Sequence, residues 1–301
     1  MKKVLVLGAS GMLGAMVAEV LGCEENISLH ITLRGKNDTI EKLNLPTWEL
    51  NAMHDIEIQL EKIYNAGFSP DFVINCIGII KPYCKDDDPK GKYQSVKVNA
   101  LFPHELAGYF KKKNPSAKII QIATDCVYKG DTGYYNETHH HDPVDVYGKS
   151  KSLGEVLGDN FLNIRCSIIG PELTNHLSLM DWFLSQPRES EVLGFDHHLW
   201  NGVTTLQFAQ LCKKIIADET FDDLRKLNHT LHYVINEDVT KYSLLNIFKK
   251  VFSHDVSITK TNTHGEAINR TLRSSYLRNS LMPMEAAITE LKEYMNNSSI
   301  F

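Results

Sequence analysis

The sequence is poor in the features that mark membrane, secreted and nucleic-acid-binding proteins. Among its 301 residues, no apolar run approaches the roughly 20 residues that a membrane-spanning helix needs. The apolar stretch at residues 4–7 leads directly into glycines and is too short for the core of a signal peptide. A net charge of −5 argues against general binding to nucleic acid or to a membrane surface. We therefore expect a cytoplasmic protein with neither kind of partner.

Cysteine is scarce as well, and the six cysteines are scattered without a Cys-x-x-Cys pair. Cys76, Cys126 and Cys166 lie in apolar, strand-like runs, where cysteine acts as a small hydrophobic residue. The histidines at 139–141 are adjacent to one another in a loop-like stretch, and adjacent side chains cannot all converge on one ion. We expect a reduced protein that holds no metal.

What the sequence does contain is a regular alternation of apolar runs and amphipathic helical patterns through residue 170. The predicted strands cover residues 2–7, 28–33, 70–80, 117–123 and 161–169, and the predicted helices cover residues 11–21, 55–65, 92–113 and 147–157. An irregularity is expected in the third helix at Pro103. This alternation indicates an α/β protein with a Rossmann-type, doubly wound and mainly parallel sheet.

A glycine-rich turn joins the first predicted strand to the first predicted helix, with glycines at 8, 11 and 14. Glycine tolerates a positive φ and lets the backbone approach a phosphate closely. The helix N-terminus supplies free N–H groups, and the last glycine permits close packing of helix on strand. The turn could exist without a ligand, but its position favours dinucleotide binding. The predicted cofactor contacts here are Gly8, Ser10, Gly11, Met12, Leu13 and Gly14.

The residue type at the end of the second strand indicates which of the two nicotinamide cofactors, NAD or NADP, is preferred. An acidic residue there favours NAD, and an arginine favours the 2′-phosphate of NADP. This chain has Arg34 and Lys36 at that point, and no carboxylate before Asp38. We expect NADP(H) to be favoured over NAD(H), with Arg34 at the 2′ position. The alternative is that Arg34 is a solvated surface charge and both cofactors are accepted.

A threonine, a tyrosine and a lysine form the predicted catalytic group. Tyr147 and Lys151 are four residues apart on a predicted helix, so their side chains share a face. Reduction of a ketone needs a proton for the oxygen, and a tyrosine donates it poorly unless its phenolate is stabilised. A nearby lysine ammonium would lower the tyrosine pKa. Thr124 ends a predicted strand, and its hydroxyl could polarise the carbonyl.

The regularity weakens after Gly170-Pro171. Helices are predicted at residues 180–185, 205–217, 242–251 and 283–295, and strands at 231–235 and 256–259. We expect an NAD(P)-binding Rossmann domain over residues 1–170 and a smaller α/β substrate-binding lobe over residues 171–301. The helix near 204–217 is expected to pack back on the first domain.

With these motifs the chain resembles the extended short-chain dehydrogenase/reductases, and within them the dTDP-4-dehydrorhamnose reductase type. Residues 8–14 are similar to GxxGxLG, residues 124–130 to STDYVFDG, and residues 147–155 to YGKTKLAGE. Residues 98–100 match a VNA stretch, and residues 75–78 occupy the NxAA position.

The resemblance implies roles for particular residues. It places the catalytic threonine, tyrosine and lysine at Thr124, Tyr147 and Lys151, the last two also contacting the cofactor. It adds four further cofactor contacts: Cys76, Ile77, Gly78 and Asn99. The implied substrate is a nucleotide-linked 4-keto-6-deoxy sugar, used in the synthesis of polysaccharide precursors, and a homodimer is compatible with the resemblance.

The chain departs from the family pattern around the sugar. Ile80 stands where a threonine is common and Lys81 follows it, and the RTSWVYG segment reads RCSIIG at residues 165–170, without its aromatic residue. A UDP-linked sugar, such as one N-acetylated at C2, fits these changes as well as a dTDP-linked one. Candidate substrate contacts are Lys81, Asp125, Cys126, Val127, Ile168 and Trp200. Trp200 could equally pack between the two lobes.

Two other functions use the same scaffold. The first is an epimerase or a dehydratase. Dehydratases of this superfamily carry Asp-Glu after the active-site threonine. Here Asp125 is followed by Cys126, which disfavours dehydration. The other is a non-catalytic, dinucleotide-binding regulatory subunit, which would not need Thr124, Tyr147 and Lys151 together.

We expect Lys81, Ile168 and Trp200 to line one cleft facing Tyr147.

Overall fold

The protein is described by a computed structural model that covers residues 1–263 and 265–301. In chain order its strands are β1 (Lys2–Leu7), β2 (Ile27–Leu33), β3 (Thr47–Glu49), β4 (Phe72–Asn75), β5 (Lys118–Ala123), β6 (Phe161–Arg165), β7 (Ile168–Ile169), β8 (Glu191–Phe195), β9 (His198–Trp200), β10 (Val203–Thr204), β11 (Thr230–His232), β12 (Val239–Thr240), β13 (Ser257–Thr261) and β14 (Ile268–Asn269). A seven-stranded sheet has the order β11-β6-β5-β4-β1-β2-β3. Its neighbouring strands are all parallel. The predicted doubly wound fold is therefore confirmed, and its switch point lies between β1 and β4.

Helices cover both faces of this sheet. They are α1 (Met12–Gly22), α2 (Asp38–Glu41), α3 (Ile56–Asn65), α4 (Pro89–Ser95), α5 (Phe102–Lys113), α6 (Val146–Leu153), α7 (Leu179–Leu184), α8 (Thr205–Ala217), α9 (Phe221–Leu227), α10 (Lys241–Phe252) and α11 (Met284–Asn297). On one face α1 packs against α8, and on the other α3 packs against α5. Because α1 is apolar nearly all round, it is buried over nine consecutive residues, from Leu13 to Leu21.

The predicted helix at residues 92–113 is interrupted. It begins at Pro89 as α4, continues as a π-helical segment at Val96–Leu101 and ends as α5. Pro103 has no N–H for the carbonyl of Asn99, four residues before it. A Cβ at Gly154 would lie 1.8 Å from that carbonyl oxygen. The irregularity expected at Pro103 thus lies in the preceding turn, where the segment after α6 approaches closely.

The second half of the chain contributes to the central sheet. The strand predicted at residues 161–169 ends at Arg165, and β7 pairs with β10 in a separate sheet. The strand predicted at residues 231–235 is β11, which pairs with β6. Together with α8 on α1, this strand shows that residues beyond 170 complete the sheet and its helical layer. The division at residue 170 stays a prediction.

The remaining strands form two small sheets, β12-β9-β14 and β13-β8, and α10 packs against both of them and against α11.

Over residues 1–263 and 265–301, no helix combines the length and the apolar character that crossing a membrane requires. The same residues contain no group of three or more side chains arranged to hold a metal ion. All six cysteines are free thiols.

Candidate active site

A cavity of about 920 Å³ lies at the carboxyl edge of the central sheet, where β1, β2, β4 and β5 end. The turns after these strands form one wall, and side chains between residues 172 and 179 form the other. Most of the predicted site residues line it: Gly8, Ser10, Gly11, Met12, Leu13, Arg34, Cys76, Ile77, Gly78, Lys81, Thr124, Asp125, Cys126, Tyr147, Lys151, Ile168 and Trp200.

Three predicted site residues lie outside the cavity wall. A Cβ at Gly14 would lie 2.1 Å from the Gly8 carbonyl oxygen, so Gly14 serves the packing of α1 on the turn. Asn99 holds the loop after β4, because its side chain accepts from the Ile79 N–H at 2.8 Å and donates to the Ile79 carbonyl oxygen at 3.0 Å. Val127 is fully buried in a small apolar cluster. Its side chain fills the core beneath the Thr124 segment, and a substrate contact by Val127 stays a prediction.

The glycine-rich turn has the geometry of a phosphate-binding turn. Gly8 has a φ of +81°, and a Cβ there would come within 2.8 Å of Ile77 Cγ1. Its N–H donates to Thr32 Oγ1 at 3.1 Å, which ties the turn to β2. None of the described side chains caps α1 at Gly11. The first N–H groups of α1 therefore lie at the cavity wall without a side-chain acceptor, and a dinucleotide pyrophosphate fits there.

Arg34 and Lys36 have different surroundings. Arg34 is exposed and lies at the cavity wall just after β2. Lys36 pairs with Asp38 at 2.9 Å and with Glu41 at 3.6 Å. Lys36 is thereby directed toward α2, whereas the Arg34 guanidinium remains beside the cavity.

Thr124 follows β5 and caps a short 3₁₀ turn at Asp125–Val127. Its Oγ1 accepts from the Cys126 N–H at 3.2 Å and donates to Asp125 Oδ1 at 3.1 Å. Asp125 is 5% exposed. Burial raises the pKa of the Asp125 carboxyl, although the positive charges of Arg270 and Lys81 oppose this shift.

Tyr147 lies in the first turn of α6. The helix is capped by Asp145, whose Oδ1 accepts from the Gly148 N–H at 2.8 Å. Burial raises the pKa of the Tyr147 phenol well above its ordinary value, and the nearby Cys126 and Asp125 add to the shift. The neighbouring Thr124 hydroxyl acts in the opposite direction. Tyr147 therefore keeps its proton at neutral pH and lies beside the Thr124 hydroxyl.

Lys151 lies one turn further along α6 and is 7% exposed. Burial lowers the pKa of the Lys151 ammonium to about 8. Its Nζ donates to the Ile122 carbonyl oxygen at 2.8 Å, so the hydrogen bond is directed toward β5 instead of toward Tyr147. The expected stabilisation of the Tyr147 phenolate by Lys151 stays a prediction.

Lys81, Ile168 and Trp200 come from three distant stretches and line the same cavity as Tyr147. The Lys81 ammonium lies 5.9 Å from the centre of the Tyr147 ring and 2.9 Å from Asp145 Oδ2. Trp200 also packs against the main core, so it both lines the cavity and fills space. Contact of these side chains with a substrate stays a prediction.

Two acidic residues that position the site were not recognised from the sequence. Asp145 caps α6 and also holds Lys81. Asp86 Oδ1 accepts from the Val146 N–H at 3.2 Å and so ties the loop after β4 to the start of the same helix. An aspartate just before a helical run is an N-cap signal, and Asp145 could have been found by it. The contact of Asp86 has no such local signal.

A buried ion pair just after α6 was also missed. Arg165 donates from Nε to Glu155 Oε1 and from Nη2 to Glu155 Oε2, both at 2.6 Å. The same guanidinium donates to Tyr128 Oη at 2.7 Å and lies 3.1 Å from His232 Nε2. This network joins β6, β11, the segment after α6 and the segment after Thr124.

Comparisons with known proteins agree with this geometry. The family model described as RmlD substrate binding domain matches residues 1–296. Methionine adenosyltransferase 2 subunit beta from Bos taurus is 24% identical over 251 residues, which are 81% of this chain and 70% of that protein. A probable low-salt glycan biosynthesis reductase from Haloferax volcanii is 27% identical over 154 residues, 50% of this chain and 46% of that protein.

Solved structures show the same fold. A dTDP-4-dehydrorhamnose reductase from Clostridium acetobutylicum superposes with a TM-score of 0.75 at 19% identity and covers 98% of this chain and 99% of its own. A second dTDP-4-dehydrorhamnose reductase, from Bacillus anthracis in complex with NADP, has a TM-score of 0.71 at 19% identity. The match covers 99% of this chain and 100% of that one. A dTDP-glucose 4,6-dehydratase from the same species, in complex with NAD, has a TM-score of 0.75 at 14% identity. The match covers 100% of this chain and 99% of that one.

The resemblance inferred from the sequence motifs is confirmed by the family match, which extends from the glycine-rich turn through the last helix. The architecture is shared with the two dTDP-4-dehydrorhamnose reductases and with the dTDP-glucose 4,6-dehydratase. The chain belongs to the RmlD substrate binding domain family.

Proposed function

We propose that this chain catalyses the NADPH-dependent reduction of the 4-keto group of a nucleotide-linked 6-deoxy sugar, a step in making deoxysugar precursors of polysaccharides. The proposal depends on one observation. A single cavity contains both the N-terminus of α1 and the side chains of Thr124, Tyr147 and Lys151. A protein that only bound a dinucleotide would need the helix N-terminus and would not need the three side chains.

The residues of the cavity fit a nicotinamide dinucleotide. The turn from Gly8 to Leu13 would hold the pyrophosphate with backbone N–H groups. Arg34 would bind the 2′-phosphate, since Lys36 is held by two carboxylates. This difference supports NADPH over NADH. A bound nicotinamide would supply the hydride that reduces the ketone carbon.

The proton for the ketone oxygen would come from Tyr147 Oη. Burial raises the pKa of the phenol, so Tyr147 holds its proton at neutral pH, and donation as a general acid would need a positive charge near the phenolate that is left. The Thr124 hydroxyl lies beside the phenol and would orient the same oxygen. Lys151, one turn along the helix, would offset the negative charge left on Tyr147 after the transfer. Hydride on carbon and proton on oxygen together give the alcohol.

The cavity residues that depart from the family pattern would determine which sugar binds. Lys81, Ile168 and Trp200 line the same cavity as Tyr147. Lys81 carries the positive charge of this set. It pairs with Asp145, so it would have to leave this carboxylate to meet a phosphate of the nucleotide sugar. Whether the nucleotide is dTDP or UDP, and whether two subunits associate, remain predictions of the resemblance.

The test is incubation of the purified protein with NADPH and a panel of dTDP- and UDP-linked 4-keto-6-deoxy sugars, following the loss of nicotinamide absorbance. We expect oxidation of NADPH with at least one sugar and formation of its 4-hydroxy product. Protein that carries tightly bound NAD from purification, and oxidises no NADPH with any sugar, would instead indicate an epimerase.

A second candidate is favoured by the relative from Bos taurus, which is named as a subunit of methionine adenosyltransferase. In this case the chain would bind a dinucleotide and regulate a partner enzyme. The test is to mix the protein with the methionine adenosyltransferase of its own organism and to measure co-elution and synthetase activity with and without NADP⁺. A stable complex together with no reductase activity would replace the first proposal.

A further inference from the structure

We propose that Asp125 acts in its neutral, protonated form as a positioning residue that turns the Thr124 hydroxyl hydrogen toward the substrate ketone. The inference rests on the proposed reductase function. It assigns Asp125 a role different from the sugar contact that the sequence predicts.

The argument begins with the hydrogen bonds of the Thr124 hydroxyl. A hydroxyl has one hydrogen to donate and two lone pairs that accept. Thr124 Oγ1 accepts from the Cys126 N–H and lies 3.1 Å from Asp125 Oδ1. An ionised Asp125 can only accept, and it would therefore take the one hydrogen of Thr124. No hydrogen would then remain for the ketone oxygen.

A protonated Asp125 reverses the direction of this hydrogen bond. Its own O–H would donate to Thr124 Oγ1, and the Thr124 hydrogen would be free to point into the cavity. The ketone oxygen would then receive two hydrogen bonds, one from Thr124 and one from Tyr147. Two donors directed at the oxygen stabilise the negative charge that develops there during reduction. Tyr147 gives up its proton, while Thr124 and Asp125 keep theirs.

The surroundings of Asp125 favour the neutral form. The ionisable groups that face it are Cys126 on its own turn, Tyr147 on α6, Cys166 after β6, Lys81 in the loop after β4, and Arg270 after β14.

Neither cation is directed at the carboxyl. Lys81 pairs with Asp145, and Arg270 donates to the carbonyl oxygens of Tyr128 and Lys129. Within the described residues, Asp125 has no ion pair. A buried carboxyl without an ion-pair partner retains its proton more readily than an exposed one.

The protonation state can be measured without any substrate. We would label the protein with aspartate carrying ¹³C in the side-chain carboxyl and record its spectrum at neutral pH with saturating NADP⁺. The Asp125→Asn variant identifies the Asp125 resonance by its loss. We expect this resonance at the shift of a protonated carboxyl, and that of Asp131, which pairs with Lys129 at 3.0 Å, at the shift of a carboxylate. An ionised Asp125 at neutral pH overturns the proposal, even if no sugar of the panel is reduced.

Kinetics separate the positioning role from sugar binding. An asparagine can donate an N–H to Thr124 Oγ1 as the protonated acid would, and an alanine cannot. With a sugar that the wild type reduces, we expect Asp125→Asn to have a kcat at least about 10-fold above that of Asp125→Ala, since a lost oriented donor costs a large factor. The sugar KM should be similar in both variants. Equal kcat values with a raised KM in both would indicate a sugar contact and contradict the proposal.

Discussion

The Lys151 ammonium donates a hydrogen bond of 2.8 Å to the carbonyl oxygen of Ile122, two residues before Thr124. This contact ties α6, which carries Tyr147 and Lys151, to the end of the strand that carries Thr124. The three predicted catalytic residues are therefore held on one strand end and one helix. The same contact keeps a cation almost fully buried, at 7% exposure, and this burial should be visible in the stability of the protein.

The stability should depend on the protonation of Lys151. The pKa of its ammonium falls from 10.5 to about 8 on folding. Between these pH values the unfolded chain binds more protons than the folded one, so this group makes the protein more stable as pH rises. Below about pH 8, the low end of this pH window, burial of the charged ammonium lowers the free energy of unfolding by on the order of 3 kcal/mol.

We therefore expect Lys151→Met to be more stable than the wild type at neutral pH, with a difference that shrinks as pH rises through the window. Chemical denaturation across this pH range measures it. Lys149→Met, at an exposed position of the same helix, is the matched control and should show no such trend. A pH-independent difference for Lys151→Met would contradict the burial argument.

Replacement of Tyr147 by phenylalanine should remove the proton donor and keep the ring. We expect turnover to fall by at least about 10²-fold, as is typical of lost general acid catalysis, with little change in NADPH affinity. Tyr93→Phe, at a 65% exposed position, should leave both unchanged. Turnover of Tyr147→Phe within threefold of the wild type would rule out the catalytic assignment.

Arg34 should determine the choice of cofactor. We expect Arg34→Ala to weaken NADPH binding by about 10- to 100-fold and NADH binding far less, because a charge-assisted partner of the 2′-phosphate is lost. Fluorescence titration of both cofactors measures this. Lys36→Ala is the control, since Lys36 is held by Asp38 and Glu41. Equal losses for NADPH and NADH would show that Arg34 does not read the 2′ position.

Gly14 should be the least replaceable glycine of the turn. A Cβ there would lie 2.1 Å from the Gly8 carbonyl oxygen and 2.8 Å from its carbon. We expect Gly14→Ala to destabilise the protein by about 1–3 kcal/mol or more, because backbone must move to make room. Chemical denaturation of the purified variant measures the change. A tolerated Gly14→Ala would refute the packing role.

Gly108 in α5 is the matched control for this substitution. Among the residues that the structure describes, no atom beyond its own helix and chain neighbours would lie within 4 Å of a Cβ at Gly108. Gly108→Ala should therefore stabilise the protein slightly, by about 0.5–1 kcal/mol, because alanine has the higher helix propensity.

Local patterns were enough to predict six of the seven strands of the central sheet and to place the candidate catalytic residues. The turn at Gly8–Gly14 depends on φ and on close approach within one strand–helix pair, which neighbouring residues decide. Tyr147 and Lys151 share a face because the helical repeat places residues four apart on one side. Thr124 and Arg34 were placed by strand ends, which meet at one edge of a parallel sheet.

Other features depend on segments that are distant in the chain. The partner of Lys81 is Asp145, and the partner of Arg165 is Glu155, and neither pairing has a signal in the local pattern. The strand at residues 230–232 was predicted, but its place beside β6 in the central sheet was not.

By itself, then, the sequence determined most elements of the central sheet, the glycine-rich turn and the candidate catalytic residues. The tertiary structure decided the direction of each side chain. In the turn at Asp125–Val127, Cys126 faces the cavity while Val127 points into the core, and Asp125 is buried with its carboxyl against Thr124. Adjacent residues in such a turn point in different directions, and which one meets ligand or core depends on the elements packed around it, which local periodicity does not contain.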